Sequence, residues 1–258
     1  MPKKIALMGS DDILLAAKYL TDFELVAVTG DVAKALGDMD IPNRVLGSFI
    51  NENIQAQSMS DAAMLSFGIL QQVPEAKQKL HPRVQEKFSQ VMPGFLMNNL
   101  PQLALLVSAL DAANVDGAIV HNDVEPLTRT IALWCKARGK PCYHVPHAIY
   151  LDHEGRGAPG SDIHDMITAS HLAAGGMFQR NWYAERGFPV ERIGITGVPR
   201  FDRIVRLPQN RERAGALLKL DTKKPTIVYF SSWGQQTNLL GCNDGVDESY
   251  LAFLDAIK

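Results

Sequence analysis

Short apolar runs alternate with amphipathic stretches along the chain, and the pattern is clearest at its start. An apolar run over residues 4–8 gives way to Gly9-Ser10-Asp11-Asp12, and then Ile13, Leu14, Ala17 and Leu20 recur at helical spacing. A brief apolar run bounded by turn formers suits a buried strand, and apolar positions three and four apart suit one face of a helix. Residues 23–29 make a second strand, closed by Gly30-Asp31, and residues 44–50 a third. This βαβ opening predicts a doubly wound α/β sheet. Asp11 and Asp12 at the helix start are assigned to capping and to the helix dipole in preference to cation binding.

Residues 51–114 carry a helical pattern with no strand signal. Pro74, Pro82, Pro93 and Pro101 divide it into several short amphipathic helices, a helical insertion packed around the sheet. The β-α pattern returns at residues 117–120, a strand whose mouth is His121-Asn122-Asp123. Glu125 and Pro126 open a helix that ends at Gly139. Residues 141–145 form the next strand, and its mouth is Pro146-His147. Two adjacent strands therefore deliver histidines to one edge, the edge at which open α/β sheets bind ligands. Histidine titrates near neutrality and serves as a base or holds phosphate. His147, and His121 with Asp123, are the candidates this pattern singles out, against a structural role at strand ends.

The stretch 151–161 has three glycines and a proline around Asp152, His153, Glu154 and Arg156; it predicts an exposed loop that closes over a ligand. No ligand frame joins Asp152, His153 and His164 into a metal site. Extended pieces at 165–174 and a helix at 177–186, closed by Gly187, lead to Ile-Gly-Ile-Thr-Gly-Val-Pro-Arg-Phe-Asp over 193–202. Gly197 and Pro199 end this strand and leave Arg200 and Asp202 beyond it, in a site wall or a domain exit. A linker and helix follow over 203–220, then a new strand at 226–230 ending in Ser231-Ser232-Trp233-Gly234, then a final helix at 247–258. The expected organisation is a first domain over 1–205, and a linker with the incomplete start of a second over 206–258.

Composition narrows the functional classes. With 46% hydrophobic and 21% charged residues, the chain has the make-up of a globular protein with a real core. A net charge of -2 gives no basic face that indicates nucleic acid. Cys135, Cys142 and Cys242 show no Cys-x-x-Cys spacing, so a reducing cytoplasm is expected and a zinc knuckle or disulfide framework is not. The N-terminal apolar run is too short for a signal core, and the apolar stretch at 100–115 is too short for a bilayer span. One glycine after the first strand, where a dinucleotide site needs Gly-x-Gly-x-x-Gly, disfavours a nicotinamide; no cofactor is expected.

The segment 178–202, Phe-Gln-Arg-Asn-Trp-Tyr-Ala-Glu-Arg-Gly-Phe-Pro-Val-Glu-Arg-Ile-Gly-Ile-Thr-Gly-Val-Pro-Arg-Phe-Asp, and Lys-Lys-Pro-Thr-Ile-Val-Tyr-Phe-Ser-Ser-Trp at 223–233 resemble the junction of the two Rossmann-like domains in GT-B glycosyltransferases. The likeness is to CDP-glycerol glycerophosphotransferase-like and capsule-polysaccharide transferases, and more distantly to UDP-N-acetylglucosamine 2-epimerases. It implies a Rossmann-like parallel sheet of GT-B type with a helical insertion, followed by the beginning of a second such domain. It also implies metal-free transfer of a sugar or polyol phosphate from a nucleotide-activated donor to a hydroxyl acceptor. In those families a histidine in a His-Gly pair is the base. His147 holds the comparable place, with Ala148 where the family has glycine. The resemblance further implies substrate contacts from His121, Asp123, His153, Arg200 and Asp202, with Arg200 and Asp202 as hinge and cleft residues, and donor-phosphate contacts from Ser231, Ser232 and Gly234. The epimerase pattern His-Val-Glu-Ala-Gly begins at His144-Val145 and is broken by Pro146-His147, so an epimerase relative is the alternative. A non-catalytic nucleotide-sugar or protein-binding module is the third reading. Because the donor domain of such enzymes needs roughly 100 further residues, the chain is expected to be a fragment that is inactive alone.

Overall fold

Seven parallel strands make one sheet in the computed structural model, in the order β3-β2-β1-β4-β5-β6-β7. The structure describes residues 2–9, 11–79, 82–123, 125–146, 167–206, 210–221, 223 and 224. The strands are β1 (Lys3–Met8), β2 (Phe23–Ala27), β3 (Asn43–Val45), β4 (Gly117–Val120), β5 (Cys142–His144), β6 (His171–Ala174) and β7 (Ile193–Ile195). Helices α1 (Asp11–Ala17) and α2 (Gly30–Gly37) follow β1 and β2, while α6 (Pro126–Ala137) and α7 (Met177–Glu185) follow β4 and β6.

Alternation along the strands builds the two-sided core. Leu7, Leu25 and Ala27 face Ile13, Ala17, Val32 and Leu36 of α1 and α2. Ala6, Met8 and Val26 face the opposite way, onto Leu106, Leu110, Ile131 and Trp134. Helices on both faces let the chain wind outward from β1 to β3, return, and wind the other way from β4. A smaller cluster of Leu172, Ala174, Trp182, Tyr183 and Ile193 seats α7 beside β6 and β7.

The return from β3 to β4 departs from the expected form. Residues 44–50 hold a three-residue strand and then a 3-10 turn at Leu46–Phe49, not one continuous strand. The helical insertion is three long helices: α3 (Glu52–Gln78), α4 (Pro82–Asn98) and α5 (Leu100–Ala113). Pro74 and Pro93 lie inside α3 and α4, and Pro101 sits in the first turn of α5. An internal proline removes one backbone bond and costs about 3 kcal/mol; the turns on either side carry that cost, and the helix continues. At Pro101 there is no such cost, since first-turn amides have no intrahelical partner. Ser58 Oγ donates to Ser108 Oγ at 2.9 Å and ties α3 to α5. Among the described residues no helix is long and apolar enough to cross a membrane.

Cys135 and Cys142 are buried free thiols. Their mutual hydrogen bond, with burial, pushes the Cys142 thiol far above its ordinary value.

The chain divides into two compact units, Met1–Arg206 and Leu207–Lys258. In the second, α9 (Arg211–Leu218) is capped by Asn210, whose side chain accepts from the Arg213 amide at 2.8 Å. The strand expected at 226–230 and the helix expected at 247–258 lie outside the described residues.

Candidate functional site

Ligands of doubly wound sheets bind at the carboxyl edge, beside the strands where the order reverses. Here those strands are β1 and β4. β1 turns into α1 at Gly9, where an added Cβ would stand 2.2 Å from Ile13 Cδ1. The turn therefore has room for glycine alone.

Asp12, in the first turn of α1, is 1% exposed. Its Oδ1 accepts from the Arg200 backbone amide at 2.9 Å, and its Oδ2 lies 3.1 Å from Arg200 Nε. Arg200 belongs to the first turn of α8 (Pro199–Arg206), whose amides have no intrahelical acceptor. Asp12 thus caps α8, 188 residues away, where the sequence pointed to a cap on its own helix. The correction extends to the chain after β7. Gly197 takes φ +76°, a left-handed turn that favours glycine, and Pro199 then starts a helix at once. Arg200 and Asp202 stand on that helix, where the sequence put a strand end followed by a connecting segment from residue 203. Arg200 is engaged by Asp12 with its side chain 40% exposed; Asp202 is exposed in the same first turn, where an acid complements the dipole.

His121 is the first residue past β4, and its amide donates to the Met8 carbonyl at 3.1 Å. Its Nδ1 lies 3.4 Å from the same carbonyl, and its Nε2 lies 3.9 Å from Glu125 Oε2. The imidazole therefore spans the reversal point, from the end of β1 to the residue preceding α6. Asn122 and Asp123 turn inward. Asn122 Oδ1 accepts from Thr128 Oγ1 at 2.7 Å and from the Glu125 amide at 3.2 Å. Asp123 is 2% exposed, and its Oδ2 accepts from the amides of Thr168 and of Ala169, the latter at 3.1 Å. That carboxylate fastens the mouth of β4 to the segment entering β6.

A small recess opens between the ends of β5, β6 and β7, lined by Asp12, Pro146, Gly175, Gln179, Gly197 and Arg200. Buried Gln179 accepts from the Gly175 amide at 2.7 Å and fixes the turn after β6. The structure thus gathers Asp12, Arg200 and Gln179 at one rim. Arg200 alone of these was singled out by sequence. No local signal marks Asp12 as the partner of a residue so distant, and Gln179 looked like one more polar position on α7.

Comparison with known proteins adds the following. No protein-family model and no curated protein matches the chain. Among solved structures, the UDP-GlcNAc 2-epimerase of Neisseria meningitidis bound to UDP-GlcNAc is similar at TM-score 0.45 and 11% identity, over 84% of this chain and 52% of that one. The UDP-GlcNAc 2-epimerase of Methanocaldococcus jannaschii is similar at TM-score 0.43 and 13% identity, over 85% and 54%. The chain spans about half the length of these structures.

Of the other expected site residues, His147, His153, Ser231, Ser232 and Gly234 lie outside the described residues. Pro146, which immediately precedes His147, stands just past the carboxyl end of β5. Among the described residues no group of three or more His, Cys, Asp or Glu side chains gathers as for a metal.

Proposed function

We propose that the chain forms the acceptor-side part of a GT-B type transferase that moves a sugar or polyol phosphate from a nucleotide-activated donor to a hydroxyl acceptor. The observation that carries this reading is the order reversal at β1 and β4, with His121 at that point and β5 leading through Pro146 directly to His147. In this reading residues 1–205 are the acceptor-side domain and residues 206–258 begin the donor side. His147 takes the proton from the acceptor hydroxyl as it attacks the activated centre. The nucleotide leaves as a phosphate or diphosphate, and positive helix N-termini stabilise its charge. Helices α1, α6 and α8 all begin at this edge, after β1, β4 and β7. His121, His153, Arg200 and Asp202 contact substrate. Asp123 acts through the backbone it holds, and Ser231, Ser232 and Gly234 receive the donor phosphates. No metal takes part.

The test is release of nucleoside mono- or diphosphate from activated donors by the full-length gene product. Release that depends on an added hydroxyl acceptor is the expected result. Interconversion of the donor sugar without acceptor supports the epimerase alternative instead, and binding without any release supports the non-catalytic one.

A further inference from the structure

A cavity of about 290 Å³ lies between α6, the segment 167–170 and the end of α7, and its basic residues Lys136, Lys140, Arg186 and Arg192 stand toward the opposite, amino edge of the sheet. Four basic residues line it, with no carboxylate among the described lining residues, while the Ser170 hydroxyl donates to the Cys142 carbonyl at 3.1 Å and Thr168 Oγ1 accepts from the Arg129 guanidinium. At the roughly 30 Å³ that each water occupies in the liquid, the space equals about ten waters, the scale of a small phosphorylated molecule.

Part of this charge has a local explanation. Lys136 is in the last turn of α6 and Arg186 is the C-cap of α7, where cations complement the negative helix end. Lys140 donates to the Val115 carbonyl and sits 5.0 Å above the Trp134 ring. Arg186 stacks 3.8 Å above the Trp182 ring and donates to the Trp182 carbonyl at 3.3 Å. These contacts hold two cations in place at the wall. Arg192, in the 3-10 turn before β7, ends no α-helix. Lys136 and Arg192 are exposed and have no ion-pair partner among the described residues. The wall residues Thr168 and Ala169 reach back to the mouth of β4, where their amides donate to the Asp123 carboxylate. Helix complementation therefore leaves Arg192 unexplained, and neither Lys136 nor Arg192 is neutralised by an ion pair among the described residues.

We infer that this cavity is a second site, distinct from the carboxyl edge, which binds the phosphoryl group of a small phosphorylated metabolite. Lys140 and Arg186 supply positioned charge, and Lys136 and Arg192 close on the phosphate oxygens. The inference stands on this cavity alone and does not depend on the function proposed above.

Calorimetric titration of the protein with pyrophosphate, glucose 1-phosphate and glucose, at constant ionic strength, tests it. Saturable binding of both phosphorylated probes at one site, and none of glucose, is expected. Joint replacement Lys136→Glu and Arg192→Glu is expected to weaken that binding about tenfold or more, through two lost charge-assisted contacts. Because both side chains are exposed, the melting temperature should stay within that of the parent; Arg192→Gln alone is a milder variant expected to weaken binding in the same direction. Arg200→Gln, at the other edge, is expected to leave the affinity unchanged. Absence of saturable binding at millimolar probe, unchanged affinity in the Lys136 and Arg192 variants, or loss in Arg200→Gln alone would overturn the inference.

Discussion

At the carboxyl edge of the sheet α1, α6 and α8 begin, and the buried acid Asp12 meets a helix amide and a guanidinium there. At the amino edge α5, α6 and α7 end, and the side chains gathered there are largely cations that reach for carbonyl oxygens: Lys4 to Ala113, Lys140 to Val115, Arg186 to Trp182. Both arrangements follow from parallel strands. Such a sheet points every helix the same way, so one edge collects positive dipole ends and unbonded amides, the other negative ends and unbonded carbonyls. What separates the edges is what remains after these groups are satisfied. At the carboxyl edge Asp12 and Asp123 are consumed in holding distant segments together. At the amino edge Lys136 and Arg192 remain without an ion pair among the described residues.

The contrast can be broken by substitution, and the largest expected effect on stability is at Asp123. Asp123→Ala strips the acceptor from the amides of Thr168 and Ala169 and is expected to cost about 2–3 kcal/mol in urea unfolding. Asp123→Asn retains an acceptor and should cost less. Arg200→Gln comes next. It leaves the buried Asp12 carboxylate with the amide of residue 200 but no cation. Since Arg200 is partly exposed, we expect a loss of about 1–2 kcal/mol by the same measurement.

The smallest effect belongs to the amino edge. Arg138, and then Trp134, hydrogen-bond Asp111 and hold its carboxyl below the usual carboxylate range. A depressed value means that this contribution is present above the unfolded carboxylate range, near pH 4, and disappears as pH falls through the folded value. The pair is exposed enough for solvent to screen it. Asp111→Asn should therefore cost under about 1 kcal/mol at pH 7, and the deficit should shrink as thermal melts are taken to lower pH. A deficit that grows on acidification would contradict the assignment.

How far the sequence revealed these features depended on the range of the interactions. The strands over 4–8, 117–120 and 193–195 and the helix opened by Pro126 were legible because apolar periodicity and proline or glycine boundaries are local. The 3-10 turn after β3 was not, since apolar residues at 46–50 satisfy either a strand or a tight turn that packs on α5. Prolines misled at α3 and α4 because a long packed helix tolerates one broken bond. At the site, His121 was visible at its strand mouth. The roles of Asp12 and Asp123 were hidden, because each is defined by a partner 45 or more residues away that no spacing reveals. The amino-edge cavity was hidden for the same reason, its cations being scattered from residue 136 to residue 192.

The proposed function, with His147 as base at the carboxyl edge, is tested most directly by acceptor-dependent turnover of His147→Gln in the full-length protein. A fall in kcat of about 100-fold or more, with the melting temperature kept, is the expected result. Near-normal turnover would contradict it.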